Sequence, residues 1–130
     1  MANSSPEIFD RAEWTLQMET FVVFARKFAL SAGLDVGIAF TPDVGGKFPA
    51  VYQRPVSKGA GHGQIIFNVR QLGSRWFEQS NWREQIELLI HELGHHWGRH
   101  LDSSYREALC RLGRAAVEFA LIRPELFPGR

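Results

Sequence analysis

The sequence predicts an α+β domain: a helix, about three short strands forming a small sheet, and two further helices, folded as one unit over residues 1–130. Apolar residues recur at helical spacing in three long segments. Between the first and second of these they alternate, or run together, over short stretches bounded by Gly and Pro. Hydrophobic residues make up 45% and aromatics 12% of 130 residues, enough to build a core without disulfide staples.

Ser4, Ser5, Pro6 and Glu7 form a helix-start cluster. Met18, Phe21, Val22, Ala25, Phe28 and Ala29 follow as one apolar stripe that ends before Gly33, the core face of a long amphipathic helix. Val36, Ile38 and Phe40 then alternate with small residues and predict a strand, closed by Thr41-Pro42-Asp43 and a loop through Gly45 and Gly46. Ala50 to Tyr52 is a second short strand, which the flanking Pro49 and Pro55 place at a sheet edge. Ser57 to Gly63 carries three glycines and His62. It lacks the Lys-Ser/Thr ending of a phosphate loop and precedes a strand, so it reads as a flexible hairpin or substrate-side loop, with His62 a loop residue rather than a ligand. Gln64 to Val69 is a buried strand, and Leu72, Trp76 and Phe77 form a packed connection into the next helix.

Asn81 with Glu84 marks the start of the second helix and Gly98 its stop. Ile86, Leu89, Ile90, Leu93 and Trp97 supply its apolar face. Asp102, Ser103 and Ser104 are all N-cap candidates for the last helix, and Ser104 with Glu107 fits a capping box. Tyr105, Ala108, Leu109, Leu112, Ala116, Phe119 and Ala120 line one face until Pro124. The single cysteine, Cys110, lies beside Leu109 and Leu112 and is expected to be buried as a small apolar residue.

A net charge of +1 gives no global attraction to nucleic acid or membrane. No basic region followed by an apolar run opens the chain, and no apolar stretch reaches about 18 residues, so a soluble cytoplasmic protein is expected. Arg99, Arg106, Arg111 and Arg114 read as a solvated helix face rather than a phosphate-binding strip.

The second helix carries His91-Glu92-Leu93-Gly94-His95, an H-E-x-x-H sequence. Residues four apart on a helix lie about 40° apart in projection, so His91 and His95 can close on one small cation, on the side nearly opposite the apolar face. Neutral imidazoles suit Zn2+, a catalytic zinc takes three protein ligands and a water, and Glu92 stands where a carboxylate can take that water's proton. The candidates for third ligand are His100, Glu107 and Asp102. His100 is five residues beyond His95, but a turn at Gly98 brings it back. Glu107 would reach from the first turn of the last helix, giving a two-His-one-Glu set, and Asp102 would serve from its cap position.

On these residues the sequence resembles the zincin metallopeptidases, over roughly Gly63 to Leu112. The likeness lies in the apolar strand Ile65-Ile66-Phe67-Asn68, the H-E-L-G-H helix about two dozen residues on, and a nearby His and aromatic, His100 and Tyr105. It is most similar to the small SprT-like domains. The resemblance implies a minimal zincin-like domain in which His91, His95 and His100 bind zinc, Glu92 is the general base, and an edge strand holds an extended polypeptide. The implied activity is hydrolysis of a peptide bond in a protein or peptide substrate. Three departures stand out: the family's third His falls one residue later, at Leu101; both methionines, Met1 and Met18, lie upstream, so no Met-turn follows; and one cysteine excludes a zinc ribbon. Two alternatives accompany this expectation. One is a metal-stabilised binding module that cleaves nothing, against which the intact Glu92 argues, since a structural zinc prefers a closed site with cysteines. The other is a SprT-like protease acting near DNA with help from the arginines. Tyr105 either stabilises an oxyanion or packs in the core.

Overall fold

The computed structural model describes residues 8–42, 48–55, 62–98 and 102–129. The predicted order of elements is present, together with several single helical turns. Helix α1 (Leu16–Ser31) is opened by Thr15, whose Oγ1 accepts the Met18 N–H at 3.2 Å. It therefore begins later than the Ser4–Glu7 cluster suggests, because Thr15 in an extended conformation starts the hydrogen-bonded run. That cluster, Gly45, Gly46 and most of the glycine loop lie outside the described residues. The expected stripe is buried at Met18, Phe21, Ala25, Phe28 and Ala29, with Phe24 added to it. Gly33, at φ +84°, turns the chain so that the Leu34 N–H reaches back to the Ala29 carbonyl at 2.8 Å.

Three strands make one sheet in the order β1-β3-β2: β1 (Gly37–Thr41), β2 (Ala50–Gln53) and β3 (Gln64–Asn68). β1 runs parallel to the central β3, setting Phe40 beside Phe67, while β2 runs antiparallel to β3 with Ala50 opposite Phe67 and Tyr52 opposite Ile65. β2 is an edge strand, as its prolines require. β3 stops at Asn68, whose Oδ1 accepts the N–H groups of Arg70 and Gln71 and so starts the single turn α2 (Val69–Leu72). The core forms where α1 meets the sheet and its connection: Phe21 stands edge-on to Phe67 at 4.9 Å, and Phe77 packs on both Phe21 and Phe40.

Helix α3 (Trp82–Gly94) departs from expectation in three respects. Asn81 occupies the N-cap but makes no cap bond, because its side chain donates to the Trp76 carbonyl instead. The buried line is Gln85, Leu89, Glu92 and Leu93, while Ile86, Ile90 and Trp97 are half-buried. Gln85 tolerates burial because its Nε2 donates to the Trp76 and Glu78 carbonyls, both at 2.9 Å. The helix also ends at Gly94 rather than Gly98: the N–H groups of His95, His96 and Trp97 bond carbonyls three residues back, tightening the chain into turns.

Helix α4 (Ser103–Ile122) starts at Asp102, one of the three N-cap candidates, and buries Tyr105, Ala108, Leu112 and Phe119. The Ser104–Glu107 capping box does not form, and Glu107 is exposed. Cys110 is exposed, against expectation. Two residues past Ala108 it stands about 200° round the helix, on the solvent side. Among the described residues no helix is long and apolar enough to cross a membrane.

Candidate metal centre

His91 and His95 lie in the last turn of α3 and just beyond it, with ring centroids 5.3 Å apart and planes at 87°. Two imidazoles bound through one nitrogen each to a tetrahedral zinc, at Zn–N of about 2.0–2.1 Å, hold their centroids about 5 Å apart. The observed separation of the two rings is close to that value.

Hydrogen bonds brace each ring at Nδ1. His95 Nδ1 lies 3.2 Å from the Gly98 carbonyl, which only accepts, so Nδ1 is the donor in that contact. His91 Nδ1 lies 3.2 Å from the Tyr105 hydroxyl, which in turn donates to the His91 carbonyl at 3.3 Å. The Tyr105 hydroxyl braces the His91 ring at Nδ1, and His91 Nε2 is on the side of Glu92. Both rings are thus contacted at Nδ1 by an oxygen, the kind of bracing that metal-ligating histidines have. Tyr105 is 5% exposed, and its hydroxyl serves the back of His91. Burial first, and the nearby Glu92 second, raise its pKa and keep it protonated.

Gly94 lets Tyr105 in. A Cβ at this position would stand 2.8 Å from Tyr105 Cε1 and 3.2 Å from Leu109 Cδ2, so only glycine admits the ring against the helix between the two histidines.

Glu92 is 5% exposed, and its Oε2 lies 3.7 Å from His91 Nε2. Burial raises its pKa to about 7, opposed in smaller measure by a hydrogen bond from the Tyr52 backbone N–H. That bond follows from strand alternation. The Pro49 carbonyl accepts the Asn68 N–H at 2.8 Å, so residues 49, 51 and 53 pair with β3 while Ala50 and Tyr52 turn their backbone groups outward, toward α3.

Between the open edge of β2 and α3 runs a groove of two adjoining lobes, each lined in part by Phe48, Ala50, His91 and Glu92. The larger, about 470 Å³, adds Leu72, Trp76, Leu88, Glu84 and Glu87. The smaller, about 350 Å³, adds Tyr52, Arg54, His95 and Gly98.

The structure therefore brings together His91, Glu92, His95 and Tyr105. His100 and Arg99 lie outside the described residues. Asp102 lies next to Gly98, its Oδ2 2.9 Å from where a Gly98 Cβ would stand, whereas Glu107 is two residues round α4 from Tyr105 on the exposed side. Among the described residues no group of three or more His, Cys, Asp or Glu side chains converges on a metal position. Of the arginines, Arg111 stacks over Trp97 at 5.3 Å and Arg114 faces Glu118 at 3.7 Å, while Arg106 is exposed.

Sequence reasoning missed Tyr52, His96 and Arg54. The Tyr52 hydroxyl donates to the His62 carbonyl at 2.6 Å and meets His96 Nδ1 at 3.0 Å, tying β2 to the turn after α3. Burial, with His62 and Arg54 nearby, lowers the pKa of His96. His62 acts as a loop residue: its Nδ1 accepts the Asp35 N–H at 2.8 Å. The only signal for these contacts was the alternation that makes Tyr52 an outward backbone position. The chain matches no protein-family model, curated protein or solved structure.

Proposed function

We propose that this chain is a zinc metallopeptidase in which His91 and His95 bind the metal, His100 completes the ligand set and Glu92 is the general base. The observation that carries this is the pair of histidines, both braced at Nδ1, beside a buried carboxylate at the foot of a strand edge. Bound there, zinc supplies Lewis acidity toward a peptide carbonyl and toward water. Glu92 takes a proton from the attacking water at Oε2 and returns it to the leaving amine. Tyr105 and the Gly98 carbonyl hold the two rings in place. The outward N–H and C=O of Ala50 and the outward C=O of Tyr52 offer an extended peptide a strand edge to pair with, while the Tyr52 N–H holds Glu92.

Glu92→Gln tests this function. The amide nearly matches the carboxylate in shape but cannot act as a base, so the variant should retain zinc and fold while losing cleavage of a peptide library. Equal cleavage by both proteins would remove Glu92 from the mechanism. Zinc binding with both forms inert toward every peptide would favour the metal-stabilised binding module. Cleavage that depends on added DNA would favour a protease acting near DNA.

A further inference from the structure

The groove carries opposite charges at its two ends. β2 and α3 run alongside it in the same sense: the larger lobe takes Pro49 and Ala50 with Glu84, Glu87 and Leu88, and the smaller takes Tyr52 and Arg54 with His95 and Gly98. Arg54, Glu84 and Glu87 are exposed, and among the described residues none of them forms an ion pair. Arg54 lines the smaller lobe together with Tyr52, His95 and Gly98, so its guanidinium is the cation at that end of the groove. At the other end the two carboxylates stand over an apolar floor of Phe48, Leu72, Trp76 and Leu88, which suits a long side chain with an aliphatic stem and a cationic head.

From this we infer that the groove selects peptides by charge order: an acidic residue on the N-terminal side of the cleaved bond, lying at Arg54, and a Lys or Arg on the C-terminal side, with its stem on Trp76 and Leu88 and its head at Glu84 and Glu87. Direction comes from pairing. A peptide added to an edge strand pairs more stably antiparallel, so its N-terminal part lies at the Arg54 end of β2 and its C-terminal part at the Ala50 end. This selection rests on the peptide-cleaving groove proposed above.

The test uses two fluorescent peptides of identical composition, one with Glu residues preceding Lys residues and one with the blocks exchanged. Binding to the zinc-loaded Glu92→Gln protein is followed by anisotropy at low and high salt, and initial cleavage rates are measured with the wild type. Exposed charge pairs are each worth a few-fold, so the acidic-first peptide should bind about tenfold more tightly at low salt and lose most of that advantage at high salt. Arg54→Glu combined with Glu84→Lys and Glu87→Lys, all surface changes, should invert the preference. Equal binding of the two peptides, no binding of either, or a preference untouched by the charge reversal overturns the inference. Zinc-dependent cleavage without charge order leaves the peptidase standing and removes only the selection. Charge-ordered binding without cleavage by the wild type leaves the selection standing and removes the peptidase.

Discussion

Replacing Glu92 with Gln should stabilise the metal-free protein above neutral pH, the same substitution that removes the proposed base. In the folded chain the carboxyl is 5% exposed, and burial carries its pKa from 4.5 to about 7. The unfolded chain releases the proton near the ordinary glutamate value of about 4.3. Between those values the folded state holds more protons than the unfolded state, so stability falls as pH rises through the window and levels off above about pH 7. At about 1.4 kcal/mol per pH unit, the full loss comes to at most about 4 kcal/mol. The substituted amide has no proton to lose, and its oxygen still accepts the Tyr52 N–H. Urea unfolding of both proteins in the presence of a chelator, from pH 4 to pH 8.5, measures the difference. The variant should be more stable by up to about 4 kcal/mol at the alkaline end, roughly 15 °C in Tm for a domain of this size, and the two should converge at the acid end. Parallel pH curves would refute the account of Glu92 as a carboxyl strained by burial. Restoring zinc should cancel the wild-type deficit, because a dication beside the carboxylate favours its charged form.

Alanine at His91 or His95 should abolish zinc binding, read by elemental analysis of protein purified without added metal. His100→Ala should weaken zinc sharply in a chelator competition, while Glu107→Ala, at an exposed position, should leave it unchanged; the opposite result would give the third bond to Glu107. Tyr105→Phe removes the hydroxyl behind His91 and should cost about tenfold in zinc affinity, with little change in unfolding free energy beyond about 1 kcal/mol. Gly94→Ala gains helix propensity but sets a methyl group 2.8 Å from the Tyr105 ring. Its net effect should be a destabilisation of about 1–2 kcal/mol in urea unfolding, accompanied by weaker zinc binding, since the ring it displaces is the one that braces His91.

What the chain determined by itself was whatever repeats with the period of one element. The stripe from Met18 to Ala29, the alternation of Val36, Ile38 and Phe40, the edge position of Ala50 to Tyr52 and the four-residue spacing of His91 and His95 were legible because local backbone geometry alone sets them. What depends on distant segments meeting was not legible. Gln85 and Glu92 look like solvent positions until the Trp76 and Glu78 carbonyls and the Tyr52 N–H come to meet them across the fold. Tyr105 fits core and catalysis equally well by sequence, and only the docking of α4 on Gly94 shows its hydroxyl at the back of His91. Cys110 reads as buried beside two leucines, yet the rotation of α4 that brings Tyr105, Ala108 and Leu112 inward turns it outward. A periodic pattern specifies a face, whereas packing decides the angle at which that face is presented, and with it which polar atoms find partners in the interior.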